Sequence, residues 1–142
     1  MSVVQSGTGP DQRAGLLLDT NLLVLLIVGS VNRDRISNFK RTRKYGKRDY
    51  ELLLRVVSHF PHLYTLAHVM SEVSNLTDLA GPERVRARHI LKEMLSVLTE
   101  PEMASVRAAQ RAPYDRLGLV DAAIAAVSRE HGCSVLTDDL DL

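Results

Sequence analysis

The sequence holds a single cysteine, Cys133, among 142 residues. An internal disulfide is therefore excluded, and a reducing, cytoplasmic setting is expected. No low-complexity tract, internal repeat or linker interrupts the chain. With 45% hydrophobic and 25% charged residues it does not have the composition of a disordered polymer. No basic–apolar–cleavage pattern opens it, and the apolar stretch at 16–28 is too short and too interrupted to span a bilayer. No membrane partner is expected. The five histidines, His59, His62, His68, His89 and His131, fall at no ligand spacing. Neither a zinc site nor a histidine acid–base system is indicated, and surface or packing roles are expected for them. What remains is one domain, residues 1–142, with enough chain to bury a core.

The organising stretch is LLLDTNLLVLLIV at 16–28. Three leucines bounded by Gly15 suit a strand buried on both faces of a parallel sheet. The seven apolar residues after Asn21 suit a buried helix, with Thr20 or Asn21 expected as its cap. An unpaired charge in a core costs several kcal/mol. Asp19 is therefore expected at the carboxyl end of the strand, at the mouth of a crevice, where open α/β sheets bind ligands.

Around this stretch, residues 1–14 read as a loose arm and 29–48 as a loop or weakly ordered, basic excursion. Helical spacing resumes near Asp49 and stops at Pro61. A short strand is expected at 62–65 and a helix at 66–76. Pro82 opens a long helix through Leu98, with Ala87, Leu91, Met94, Leu95 and Leu98 on its apolar face. A helix at 103–112 and another at 120–130 precede a last strand at 133–136. Helices separating three short apolar strands predict a parallel sheet covered on both sides.

Several carboxylates fall at corresponding places in this plan. Asp19 ends the first strand, Glu72 lies on the helix after the second, Asp121 opens an otherwise apolar helix, and Asp138, Asp139 and Asp141 follow the third. Each has a plain explanation alone: a helix dipole for Asp121, a solvated face for Glu72, a turn for Asp138 and Asp139. Brought to one sheet edge they would repel unless protonated or bridged by a cation. Oxygen donors without cysteine or paired histidine point to Mg²⁺ or Mn²⁺.

Charge is distributed unevenly. Residues 33–48 carry Arg33, Arg35, Lys40, Arg41, Arg43, Lys44, Lys47 and Arg48 against Asp34 alone, a local +7 in a chain of net charge +1. A contact to a phosphate backbone and a solvated loop both account for that. Arg84, Arg88 and Lys92 recur at four-residue steps and would line an RNA path or a solvated helix face.

Asp19-Thr20-Asn21 after three leucines, Glu72 in HVMSEVSNL, Asp121 in LGLVDAAIAAVSREHG and the closing LTDDLDL together resemble the PIN-domain ribonucleases, most closely the VapC-type toxins of type II toxin–antitoxin systems. The resemblance spans residues 16–142 and implies a three-layer α/β/α sandwich on a mostly parallel sheet. It also implies a Mg²⁺- or Mn²⁺-dependent endoribonuclease that cuts single-stranded or structured RNA. The catalytic acids would be Asp19, Glu72, Asp121 and Asp139, and the metal ligands Asp19, Asp121, Asp139 and Asp141. Asn21 and Thr137 match polar supports of the site, while Asp138 falls on a variable position. Arg41, Arg43, Lys44, Lys47, Arg48, Arg84 and Arg88 are the candidate RNA contacts. A cognate antitoxin and a homodimer or toxin–antitoxin complex are the implied partners.

The chain departs from that pattern in three ways. The basic excursion is long, Val120 stands where a small polar residue is common, and the sequence reaches Leu142 before a final strand. The last departure predicts an open sheet edge unless another chain covers it. Two other classes share parts of this pattern. A catalytically silent RNA- or protein-binding module would not need every acid. A phosphoaspartate phosphatase would want an acid where Asn21 stands, and a receiver a pair of acids before its first helix. A DNA nuclease is the nearest rival among enzymes.

Overall fold

Strand, helix and the carboxylate between them form as their sequence dictates, and the other elements are arranged around them. A computed structural model describes residues 1–4, 15–111 and 114–138. In chain order the elements are β1 (Ser2–Val4), β2 (Gly15–Leu18), α1 (Thr20–Val31), a 3₁₀ segment (Arg33–Asn38), α2 (Lys47–Ser58), β3 (His62–Tyr64), α3 (Ala67–Leu76), α4 (Gly81–Val97), α5 (Ser105–Ala109), α6 (Tyr114–Leu117), α7 (Leu119–His131) and β4 (Ser134–Thr137).

The four strands form one sheet in the order β1-β4-β2-β3. β2 is central and runs parallel to both neighbours, with Leu17 opposite Tyr64 on one side and Val135 on the other. Successive strand residues face opposite sides, and Leu16, Leu17 and Leu18 are all buried. Both faces of the sheet are therefore covered, as a parallel sheet in an α/β/α sandwich requires. α1 is buried around most of its circumference, so its uniformly apolar sequence belongs in the interior. β3 follows β2 on one side and β4 joins on the other, so the chain reverses direction across the sheet at β2. The crevice at the carboxyl end of such a switch point is where this architecture places ligands.

Several expectations need correction. Residues 2–4 are no loose arm: they pair antiparallel with β4, Val3 opposite Leu136. The outer edge of β4 is thus occupied by the chain's own β1 and is not left open. On the opposite edge Thr99 bridges to Tyr64, donating to Leu63 O at 2.8 Å and accepting from Thr65 at 2.9 Å. The cap of α1 is Asp19 itself, whose Oδ1 accepts from Leu22 N–H at 3.1 Å, and not Thr20 or Asn21. Leu95, expected on the buried face of α4, is exposed. Within the expected 103–112 helix only Ser105–Ala109 is helical among the described residues.

The basic excursion is ordered. Residues 29–31 are the last turn of α1, the 3₁₀ segment follows, and α2 starts at Lys47. Ile36 and Phe39 are buried, and the buried Thr42 hydroxyl donates to Ile36 O at 2.8 Å. Five of the cations are paired: Arg33 with Glu51, Arg35 with Glu83, Lys40 with Asp78, Lys44 with Asp138 and Lys47 with Asp34. Charge counting along residues 33–48 could not see this, because four of the five partner acids lie beyond the segment.

Candidate active site

Asp19 leaves the sheet at its middle and at its carboxyl edge. Its N–H donates to Leu136 O at 3.1 Å, which extends the β2–β4 ladder by one residue and fixes the backbone. The residue is 5% exposed. Oδ1 is held by Leu22 N–H, and Oδ2 accepts the Thr137 hydroxyl and, at 3.3 Å, the Asp138 N–H. Burial pushes this carboxyl above the ordinary carboxylate range. The Thr137 hydroxyl and the Leu22 N–H pull the other way, and the nearby Asp138 charge adds to the rise.

Two more acids reach the same place from other elements. Glu72 stands near the middle of α3, and Asp121 in the first turn of α7. Gly118, with φ of +85°, lets the chain turn sharply into α7. Asp121 then sits where the helix dipole favours a negative charge. Asp19, Glu72 and Asp121 line one cleft of about 330 Å³ together with Thr20, Asn21, Leu117, Leu119 and Val120. Three helices and the central strand thus bring together three of the four expected catalytic acids, with Asn21 at the rim. Thr137 lies beneath, bonded to Asp19. Asp139 and Asp141 lie outside the described residues.

Asp138 is turned elsewhere. Its Oδ2 accepts the Tyr45 hydroxyl and pairs with Lys44 Nζ at 3.0 Å, both from the basic segment. Burial alone would raise this carboxyl, but the Tyr45 hydroxyl and the Lys44 ammonium outweigh it and hold the group below its ordinary range. Tyr45 in turn is driven far above the usual phenol value by burial and by Asp138. The sequence reading missed Tyr45. The available signal was its place six residues after Phe39, in a segment whose few apolar side chains are buried or half-buried.

The donor set suits a hard divalent cation in kind: carboxylates only, one of them buried and disposed to hold a proton or a positive charge. Thr20 Oγ1, on a residue that lines the cleft, is buried without a hydrogen-bond partner among the described residues. Such an atom loses about 1–3 kcal/mol unless something in the cleft satisfies it. Among the described residues no three of Asp, Glu, His and Cys are grouped closely enough to hold one ion by themselves.

The candidate RNA contacts are scattered. Lys44 and Lys47 are engaged in ion pairs, while Arg41, Arg43 and Arg48 are exposed without a salt bridge among the described residues. Arg84 and Arg88 are exposed on α4. Glu83, next to Arg84, bonds Asn32 and Arg35 just past the end of α1. Twelve residues of α1 separate that end from Asp19, about 18 Å of helix. Among the described residues no helix is long and apolar enough to cross a membrane.

The family model described as PIN domain matches residues 16–142. No curated protein and no solved structure matches the chain.

Proposed function

The chain belongs to the PIN-domain family, whose members are generally nucleases, and from that premise we propose that it is a divalent-metal-dependent endoribonuclease. The observation that carries this reading is the convergence of Asp19, Glu72 and Asp121 on one cleft at the carboxyl edge of the sheet. In this reading Asp19 and Asp121, with Asp139 and Asp141 from the segment after β4, hold Mg²⁺ or Mn²⁺. A cation bound there supplies the positive charge and Lewis acidity that phosphodiester hydrolysis needs. The chain's own residues do the rest. Thr137 and the Asp138 N–H keep Asp19 in one orientation. Glu72 faces the cleft from α3 and orients the attacking water, and Asn21 offers an amide to the substrate at the rim. Leu117, Leu119 and Val120 form an apolar wall that limits water on that side. Arg41, Arg43 and Arg48, exposed cations of the basic segment with no salt bridge among the described residues, neutralise phosphates of the RNA.

The test is cleavage of single-stranded RNA with Mg²⁺ or Mn²⁺ and with EDTA, with single-stranded DNA as competitor. RNA should be cut with metal and spared in EDTA. Asp19→Asn and Asp121→Asn should each lose more than about 100-fold in rate, beyond what changes outside the ligand shell cost. Full activity in EDTA overturns the reading, and preferred cutting of DNA replaces the substrate.

The resemblance to VapC-type toxins extends the proposal to a toxin held by an antitoxin. Val85, Leu95 and Val97 expose apolar surface on α4, available to such a partner or to a second copy. Growth arrest on expression of the wild type, absent with Asp121→Asn, supports that role. A monomer in sedimentation with no copurifying protein counts against it.

A further inference from the structure

We propose that Tyr45 and Lys44 are positioning residues of the acidic cleft, acting through Asp138 on Asp19; the inference rests on the nuclease reading above. The chain of contacts is short. Asp138 follows β4 directly, beyond the last β2–β4 pair, Leu18 with Leu136. Its N–H nevertheless donates to Asp19 Oδ2, next to the Thr137 hydroxyl on the same oxygen. The side-chain partners of Asp138 among the described residues are the Tyr45 hydroxyl and Lys44 Nζ. The basic segment therefore fastens the residue that fastens Asp19.

This pair differs from an exposed ion pair, which is worth little. The Lys44 side chain is 58% exposed, but that of Asp138 is only 17% exposed, and Tyr45 packs half-buried against the core. The segment behind Tyr45 is itself anchored, by the buried Ile36 and Phe39 and by the bond from the Thr42 hydroxyl to Ile36 O. Rigidity thus passes from the core under the basic segment to Tyr45, then to Asp138, then to the one Asp19 oxygen not used in capping α1. The same clamp keeps the Asp138 carboxylate directed at Tyr45 and Lys44.

Tyr45→Phe removes only the hydroxyl and keeps the ring, and Lys44→Met keeps the stem and loses the charge. The test measures Mn²⁺ affinity of the full chain by calorimetry, together with kcat, KM for RNA and the thermal midpoint. Tyr45→Phe is expected to weaken Mn²⁺ binding about tenfold, the low end for supports behind a ligand shell. Lys44→Met should weaken it less. KM for RNA should stay near wild type in Tyr45→Phe, and the thermal midpoint should fall by a few degrees at most, the cost of one half-buried hydrogen bond. Lys40→Met is the control: it removes a cation of the same segment, paired with Asp78 and not with Asp138, and should leave Mn²⁺ affinity unchanged. Unchanged affinity in both Tyr45→Phe and Lys44→Met overturns the inference, and so does an equal loss in Lys40→Met, which would assign the effect to the segment's overall charge. Wild-type protein that binds no Mn²⁺ overturns the nuclease reading itself. Wild-type protein that binds and cuts while Tyr45→Phe matches it overturns only the inference.

Discussion

The Thr137 hydroxyl donates to Asp19 Oδ2 across 118 positions of sequence. It ties the last residue of β4 to the first residue past β2, two parallel neighbours in the sheet. Both groups are buried, so the bond forms where water competes little and a charged acceptor strengthens it. The same carboxylate caps α1 through Leu22. One side chain therefore joins the central strand, its helix and the neighbouring strand, and it also faces the cleft.

Thr137→Val keeps the volume and the β-branch but removes the donor. It leaves a buried carboxylate short of a partner, at a cost of about 1–3 kcal/mol. Thr137→Ser keeps the hydroxyl and should cost less. Urea unfolding of the two variants, compared with wild type, measures the difference. Equal stability of Thr137→Val and wild type would show that the bond contributes nothing net.

Salt dependence tests which cations meet RNA. Each phosphate contact on a single strand adds a slope of about −0.7 to log affinity against log salt. Replacing Arg41, Arg43 and Arg48 by Ala should flatten that slope by about 2 if all three touch phosphate. Replacing Arg33, Arg35 and Lys40, which pair with Glu51, Glu83 and Asp78, should change it much less. Binding measured from low to moderate salt decides, and an unchanged slope in the first set returns the segment to a structural role.

Cys133 gives a pH dependence with a definite sign. Burial pushes its thiol up to about 11 from an ordinary 9.0. As pH rises past 9.0 the unfolded chain loses the thiol proton first, so it gains on the fold. The stability this group contributes is present below that pH and is lost as pH climbs through about 11. Urea midpoints of wild type should therefore fall more steeply than those of Cys133→Ala over that window. A thiol reagent at neutral pH should label Cys133 slowly in the fold and fast in urea.

Much of this fold was legible in the chain because the signals were local. Gly15 and three leucines before an acid mark a buried strand, and seven apolar residues after Asn21 mark the buried helix. Asp19, Glu72 and Asp121 could be placed together because a parallel sheet sends its strand ends to one edge. What stayed hidden depended on distant partners. Ser2–Val4 is a strand because β4 lies alongside, more than 130 residues on. Thr20 and Asn21 are both able caps, and only the turn of the backbone at Asp19 selected that residue. The basic segment reads as solvated because its apolar anchors, Ile36 and Phe39, are isolated in sequence, while the acids that pair with it come from α2, α4 and the end of β4.

Gly29 of α1 lies close against the Tyr50 ring of α2. A Cβ at Gly29 would stand 2.3 Å from Tyr50 Cδ2 and 2.5 Å from Cε2. The ring is poorly placed to yield. Tyr50 is buried, its hydroxyl is 3.1 Å from Ser30 Oγ, and the Arg33 guanidinium lies over it at 5.2 Å. Two effects of Gly29→Ala oppose each other. Alanine gains up to about 1 kcal/mol inside a helix. Overpacking costs about 1–3 kcal/mol. The clash should win, and Gly29→Ala should lower the urea midpoint. In a Tyr50→Ala background the space is open, so the same substitution should raise the midpoint. That reversal of sign is the diagnostic result, because loss of the ring alone would only shift both proteins down together. If Gly29→Ala stabilises the wild type, the ring yields freely, and the α1–α2 contact is looser than its geometry implies.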